Sequence, residues 1–368
     1  MDRRGFLRTG VGLSATAFLS TAPRLRRTGA ANGATAPWRS FEVITRAEIG
    51  DASGITRVWL PVGLTTDTDY FRNLGQTWKG NAETMRVIRE EKYGAGIFYA
   101  EWPKGTSAPV VEVISRFAAR DRSVNPYEPG TPGREDAAIL AKYVAPTTLI
   151  KTDGIVRDKA LEITKGATTD LDKSRAVYEW IVDNTFRDPK VRGCGVGDIS
   201  WMLESGNLSG KCADLNALYV GLVRAVGIPA RDIYGVRAAD SAEFKSLGKS
   251  GDITKAQHCR AEFYLPSHGW VPVDPADVRK VVLEEPPGNR PLEDDMVKKA
   301  RARLFGSWEM NWMAYNFAHD VALPGSNSAP IGFLMYPQAE TMEGRLDSLD
   351  SDNFKYEITS RELTPTNA

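Results

Sequence analysis

SGKCADLNALYVGLVRAVGIPARDIYG, residues 209–235, is the stretch that sets the fold. Leu215, Leu218, Tyr219, Leu222 and Val226 recur at i, i+3, i+4, i+7 and i+11, one apolar stripe along an α-helix. Gly227 stops that helix, and Pro229 bars its continuation. The helix starts near Cys212, behind Ser209, Gly210 and Lys211. A cysteine in a first turn faces free backbone N–H groups and the positive end of the helix dipole, which both favour a thiolate. Such positions bring a thiol from ~8.5 into the ~3.5–7.5 range, the more so beside a histidine. Lys211 adds positive charge, and Gly210, without a Cβ, lets a substrate come close. The bland alternative is a small buried thiol that only packs.

Further along, HCRAEFYLPSHGWVPVDP, residues 258–275, reads as two strands, 258–265 and 270–274, joined by a short turn. His258 opens the first and Asp274 closes the second. A four-residue loop would set Leu265 opposite Trp270 and send His258 and Asp274 to opposite faces. One further loop residue, or a bulge, brings both to one face, and that is the expectation. Cys259 is expected on the other face, outside the site. Cys194, in a Gly-rich loop over 191–210, reads as part of a turn. Cys212, His258 and Asp274 could also hold zinc with a water. A helix-start cysteine has a use without metal, so neither metal nor cofactor is expected.

Several ordered elements occur together here: G-x-C at a helix start, R-A-x-G-I-P-A-R after it, a His leading a strand, then G-W-x-x-x-D-P. With the helix around Tyr178, they resemble the transglutaminase-like superfamily, within the wider papain-like thiol enzymes, over roughly 171–275. The resemblance implies an α+β fold, helices packed on an antiparallel sheet. It also implies a triad: Cys212 as nucleophile, His258 as base, Asp274 as orienting carboxylate. Arg260 departs from it, since relatives often carry an aromatic residue two positions after the His.

Around this core, residues 37–122 read as a β-rich module with five strands, at 41–49, 55–60, 84–90, 96–102 and 109–117. The Pro/Gly-rich run 123–133 is a boundary. The core is set at 134–285, with helices at 134–144, 153–164 and 171–184, the last opened by a Thr169/Asp172 capping box. A C-terminal extension, 286–368, carries a charged helix at 293–305 and short strands at 332–336 and 354–359.

The chain has 368 residues, with 47 basic and 47 acidic side chains, three His and three Cys. That balance argues against nucleic acid as a partner. Three cysteines exclude a disulfide-dense scaffold or a multi-cysteine zinc array. Residues 1–36 hold Arg3-Arg4-Gly5-Phe6-Leu7 and then a mildly apolar run, which resembles a twin-arginine export signal. Export to the periplasm or beyond is the expected localisation. Removing 1–36 takes away six basic and one acidic side chain and leaves a net charge of −5. No other stretch is long and apolar enough for a transmembrane helix.

The expected function is an exported cysteine enzyme. It acts by acyl transfer through a thioester on peptide or amide bonds of a peptide or protein substrate, with the cell envelope as a candidate setting. A peptidase of the same fold and a catalytically silent binding module are the alternatives. A buried Cys212 or an occluded cleft would favour the silent module.

Overall fold

The computed structural model of the protein describes residues 36–50 and 52–364, so residues 1–35 of the expected export signal lie outside it. At the centre is a four-stranded antiparallel sheet in the order Gly269–Val273, Gln257–Leu265, Ala230–Arg237, Trp312–Asn316. One face carries the helices. Cys212–Ala225 lies against the sheet, and all fourteen of its residues are buried. An apolar stripe accounts for one side only. The other side is covered by Gly154–Ile163, Asp170–Asn184, Ile199–Ser205 and Pro275–Glu284, which pack on it as a second layer. Among the polar side chains this encloses, Arg224 donates from Nε to the Ala230 carbonyl at 2.7 Å. The Thr169/Asp172 capping box forms as the sequence suggests.

Two of these helices lie where the sequence reading has none. Ile199–Ser205 sits inside the expected loop 191–210, capped by Asp198. Pro275–Glu284 begins at Asp274-Pro275, an N-cap followed by proline at the first helical position.

The opposite face of the central sheet packs on the β-rich module. Ile233, Val236, Trp308 and Trp312 meet Phe41, Phe71 and Phe117. Phe117 stacks between Phe41 (5.1 Å) and Phe71 (5.3 Å). Each buried ring contributes about 1.5–3 kcal/mol, so three of them rival the net stability of a small domain. A buried ion cluster pins the same junction. Glu262, on the central sheet, binds both Arg122 and Arg231, and Arg122 also donates to the Trp270 carbonyl at 2.5 Å.

The module has two five-stranded antiparallel sheets with an apolar layer between them that includes Ala47, Leu60, Phe98, Trp102 and Val113. It holds a sixth N-terminal strand beyond the five expected, Phe71–Gly80, half-exposed and interrupted near Gly75, where the register shifts. Residues 286–364 do not form a body of their own. Lys355–Leu363 pairs with Arg39–Glu48 from Ser40 to Glu48, and Gln338–Thr341 pairs with Thr56–Pro61. The last strands therefore complete the first sheets.

Candidate active site

Cys212 is the first residue of its helix, and Lys211 is the N-cap. Asp214 fixes this end. Its Oδ2 accepts from the Lys211 N–H at 2.9 Å, and its Oδ1 accepts from the N–H groups of Val196 and Gly197, both at 2.9 Å. The helix start is thereby tied to the loop that carries Cys194. That loop needs its glycines: Gly193, Gly195 and Gly197 have φ of 57, 95 and 79°. A Cβ on Gly195 would sit 1.8 Å from Asp214 Oδ2. Gly195→Ala is accordingly expected to cost about 2–3 kcal/mol, from backbone strain and displaced hydrogen bonds. Chemical denaturation should read this as a lower midpoint, with slower alkylation of Cys212.

The hairpin brings His258 and Asp274 together by a different route from the expected one. Leu265 pairs with Gly269, leaving a three-residue loop, one residue shorter than the four-residue connection rather than longer. Gly269 adopts φ 77°, as three-residue hairpin loops commonly require. Ala261 then lies opposite Val273. This sets Arg260 beside Asp274, at 3.8 Å, with His258 on the same side. His258 Nε2 lies 2.7 Å from Asp274 Oδ2, with both side chains buried. The other carboxylate oxygen of Asp274 accepts from the Asp277 N–H at 3.0 Å and from Asn216 Nδ2 at 3.2 Å. Asp274 is the N-cap of Pro275–Glu284, so capping the helix also locks the carboxylate toward the imidazole.

A second carboxylate joins the pair. Asp277 Oδ2 lies 3.3 Å from His258 Nε2, and its Oδ1 accepts from Arg237 Nη2 at 2.6 Å. Burial opposes a charged imidazole, but the charges of Asp277 and then Asp274 outweigh it, and His258 is pushed up to about 9. Despite its own burial, Asp277 is held well below the ordinary carboxylate range by Arg237 and His258. His258, Asp274 and Asp277 have ligand atoms close enough for a metal ion. Arg237 and the imidazole already balance Asp277, and Arg260 stands beside Asp274, so the charge there is compensated without a cation.

The three cysteines converge, whereas the sequence alone places Cys194 in a turn and Cys259 outside the site. The first turn of the Cys212 helix crosses the start of the His258 strand, where Asn216 Nδ2 donates to the Cys259 carbonyl at 2.9 Å. The Cys259 thiol therefore comes within hydrogen-bond reach of Cys212, although strand alternation sends it away from His258. Cys194 is buried too. Its Sγ is 3.2 Å from the Gln257 carbonyl and also reaches Cys212. The Cys194 and Cys259 thiols, and then the His258 imidazole, hold Cys212 well below the usual thiol range against the opposing effect of burial. Cys194 is pushed up by its bond to Cys212 and by burial, and Cys259 chiefly by burial. Of the three, Cys212 is the one held below its usual range. The alternating glycines around Cys194 were the available signal for its role, and D-P-x-D at 274–277 was the signal for Asp277.

Cys212 and His258 line a cleft of about 530 Å³. Cys212 itself is only 3% exposed, the burial expected of a silent module. The cleft, however, opens to solvent past exposed Lys249, Asp252 and Lys255. Arg260 is turned from the cleft into the Trp308/Trp312 cluster, 4.8 Å over the Trp312 ring, and Nη1 donates to the Glu309 carbonyl at 2.9 Å.

Residues 157–275 match the model of the transglutaminase-like superfamily. An uncharacterized protein of Haemophilus influenzae is 36% identical over 328 residues, which are 85% of this chain and 88% of that one. The crystal structure of a candidate cysteine protease from Cytophaga hutchinsonii covers 89% of this chain and 99% of its own, with a TM-score of 0.51 at 13% identity, a likeness of fold alone. Sequence motifs, family model, and mixed helix-and-sheet core with its β-rich N-terminal region agree: the chain belongs to the transglutaminase-like superfamily.

Proposed function

We propose that the protein is a thiol enzyme that transfers acyl groups from peptide or amide bonds through a thioester on Cys212. The observation that carries this reading is a helix-start thiol held below its usual range beside a buried imidazole clamped by carboxylates, at the floor of an open cleft. A module that only binds has no need of a thiolate, which outweighs the low exposure of Cys212.

The steps follow from the residues. Nε2 of His258 is taken by Asp274, so Nδ1 addresses the sulfur. The thiolate attacks the carbonyl carbon, and the C=O electron pair moves to oxygen. The Cys212 backbone N–H, free at the first helical position, is one donor to that oxyanion. Protonated His258 then gives its proton to the leaving amine as the C–N bond breaks, and the thioester remains. An acceptor, water or an amine, loses its proton to His258 and attacks the thioester, and the Cys212 thiolate leaves. Asp274 holds the ring in position throughout. Water gives hydrolysis, and an amine gives amide exchange. Export by the twin-arginine route, to the periplasm or outside the cell, is part of the proposal and rests on residues 1–36.

The test compares wild type with Cys212→Ala in two assays, fluorescent-amine incorporation and peptide cleavage. Wild type should turn over in at least one, and Cys212→Ala in neither. Equal signals from both proteins would remove Cys212 from the chemistry. Turnover is also expected to fall as pH rises through about 9, where His258 loses the proton the leaving amine needs. Alkylation of Cys212 by iodoacetamide, which needs only the thiolate, should not fall there.

A further inference from the structure

We infer that the acyl donor is an acidic peptide, whose carboxylates are received by Lys211, Lys249 and Lys255 around the cleft mouth. This rests on the reading of Cys212 as the nucleophile. The cleft wall holds six Lys and Arg side chains, besides His258, and one carboxylate, Asp252. Three of the cations are already engaged. Arg237 is bound to Asp277, Arg187 pairs with Glu284, and Lys280 lies 3.6 Å from Glu284. Lys211, Lys249 and Lys255 have no carboxylate within salt-bridge distance among the described residues. Asp252 spends an oxygen on the Thr254 N–H at 3.0 Å.

This concentration is local. Residues 37–368 together carry a net charge of −5, so the cleft reverses the sign of the chain it sits in. Cations on the low-dielectric walls of a concavity focus their field on what enters, and they raise the local concentration of anions by about 10-fold or more. The cleft also continues into a second lobe of about 360 Å³ that shares Cys194, Lys211 and Lys255 and is walled by Tyr336, Phe354 and Tyr356. Volumes of this size hold a few residues of a peptide, with carboxylates toward the lysines and an apolar group against the rings. A long polyanion would need a basic track across the surface, and these three lysines are gathered at one mouth.

The first experiment needs no known substrate. In the full chain at pH 7 and low salt, the rate of Cys212 alkylation by anionic iodoacetate is divided by that for neutral iodoacetamide, with the site located by mass spectrometry. Relative to the same ratio for free cysteine, an increase of about 10-fold is expected. It should fall several-fold in 0.5 M salt and in Lys249→Glu/Lys255→Glu, whose substitutions lie on exposed positions. If both reagents react slowly, the nucleophile reading itself fails. If both react fast without anion preference, or the preference survives the double variant, the lysines do not select the donor. In that last case the His258 charge alone accounts for it.

The second experiment measures binding of fluorescent peptides to Cys212→Ala. A Glu-bearing peptide should bind about 10-fold tighter than its Gln counterpart, and an oligonucleotide of equal charge should not compete. Equal peptide affinities, or displacement by the oligonucleotide, would overturn the inference.

Discussion

His258→Ala is expected to reduce turnover by about 10⁴-fold, the scale on which loss of one member of a nucleophile–base unit acts. Two roles vanish together: the cation that helps hold the Cys212 thiolate, and the proton donor for the leaving amine. Iodoacetamide alkylation at pH 6 requires only the first and should slow far less, by about 10-fold, because a rise in thiol pKa also makes the remaining thiolate more nucleophilic. The Cys194 and Cys259 thiols and the helix start persist in the variant and retain part of the thiolate. The gap between the two losses is the diagnostic. Equal losses would mean that His258 only stabilises the sulfur. Asp274 and Asp277 lose a shared buried partner in this variant, so His258→Gln, which keeps a polar group there, controls for loss of fold.

Glu262→Ala should be the most damaging change to stability, at about 3–5 kcal/mol. Glu262 is fully buried, and two guanidiniums close on it from opposite directions: Arg122 from the β-rich module side and Arg231 from the neighbouring strand. Removing the carboxylate strands both cations away from water. Arg122 keeps the Trp270 carbonyl and the faces of Tyr70 and Trp308, but none of these carries charge. The denaturation midpoint should fall steeply, while Arg122→Met/Glu262→Leu, which replaces charge by packing, should recover much of the loss. Burial works against the Glu262 carboxylate, but the two arginines hold it below its ordinary range. Its contribution is therefore present at and above that range and disappears as pH falls through the lowered value.

The helix Cys212–Ala225 was legible because its signals are local: an apolar stripe, a glycine stop at Gly227 with φ 85°, and a proline after it. The hairpin was legible as a hairpin. Its register was not, because one residue of loop length decides which face His258 shares, and Gly269, which has the sequence of a loop residue, is left-handed and pairs with Leu265. Asp277 is not legible as a partner, because Asp274 has the sequence of a strand end, whereas in the structure it is an N-cap. The approach of Cys194 and Cys259 to Cys212 depends on a helix crossing a strand, which no spacing in the chain encodes. Likewise Phe71–Gly80, whose alternation is poor, becomes a strand through its pairing with Val110–Ala119.

The union of Lys355–Leu363 with Arg39–Glu48 has a bearing on biosynthesis. A ribosome making this protein releases the first of these strands more than three hundred residues before its neighbour emerges. Until then one edge of the earliest sheet is bare, and closing it is a slow, long-range event. The first sheet is consequently completed only after the last strand is available, and a chaperone that shields that bare edge should raise the yield of folded product.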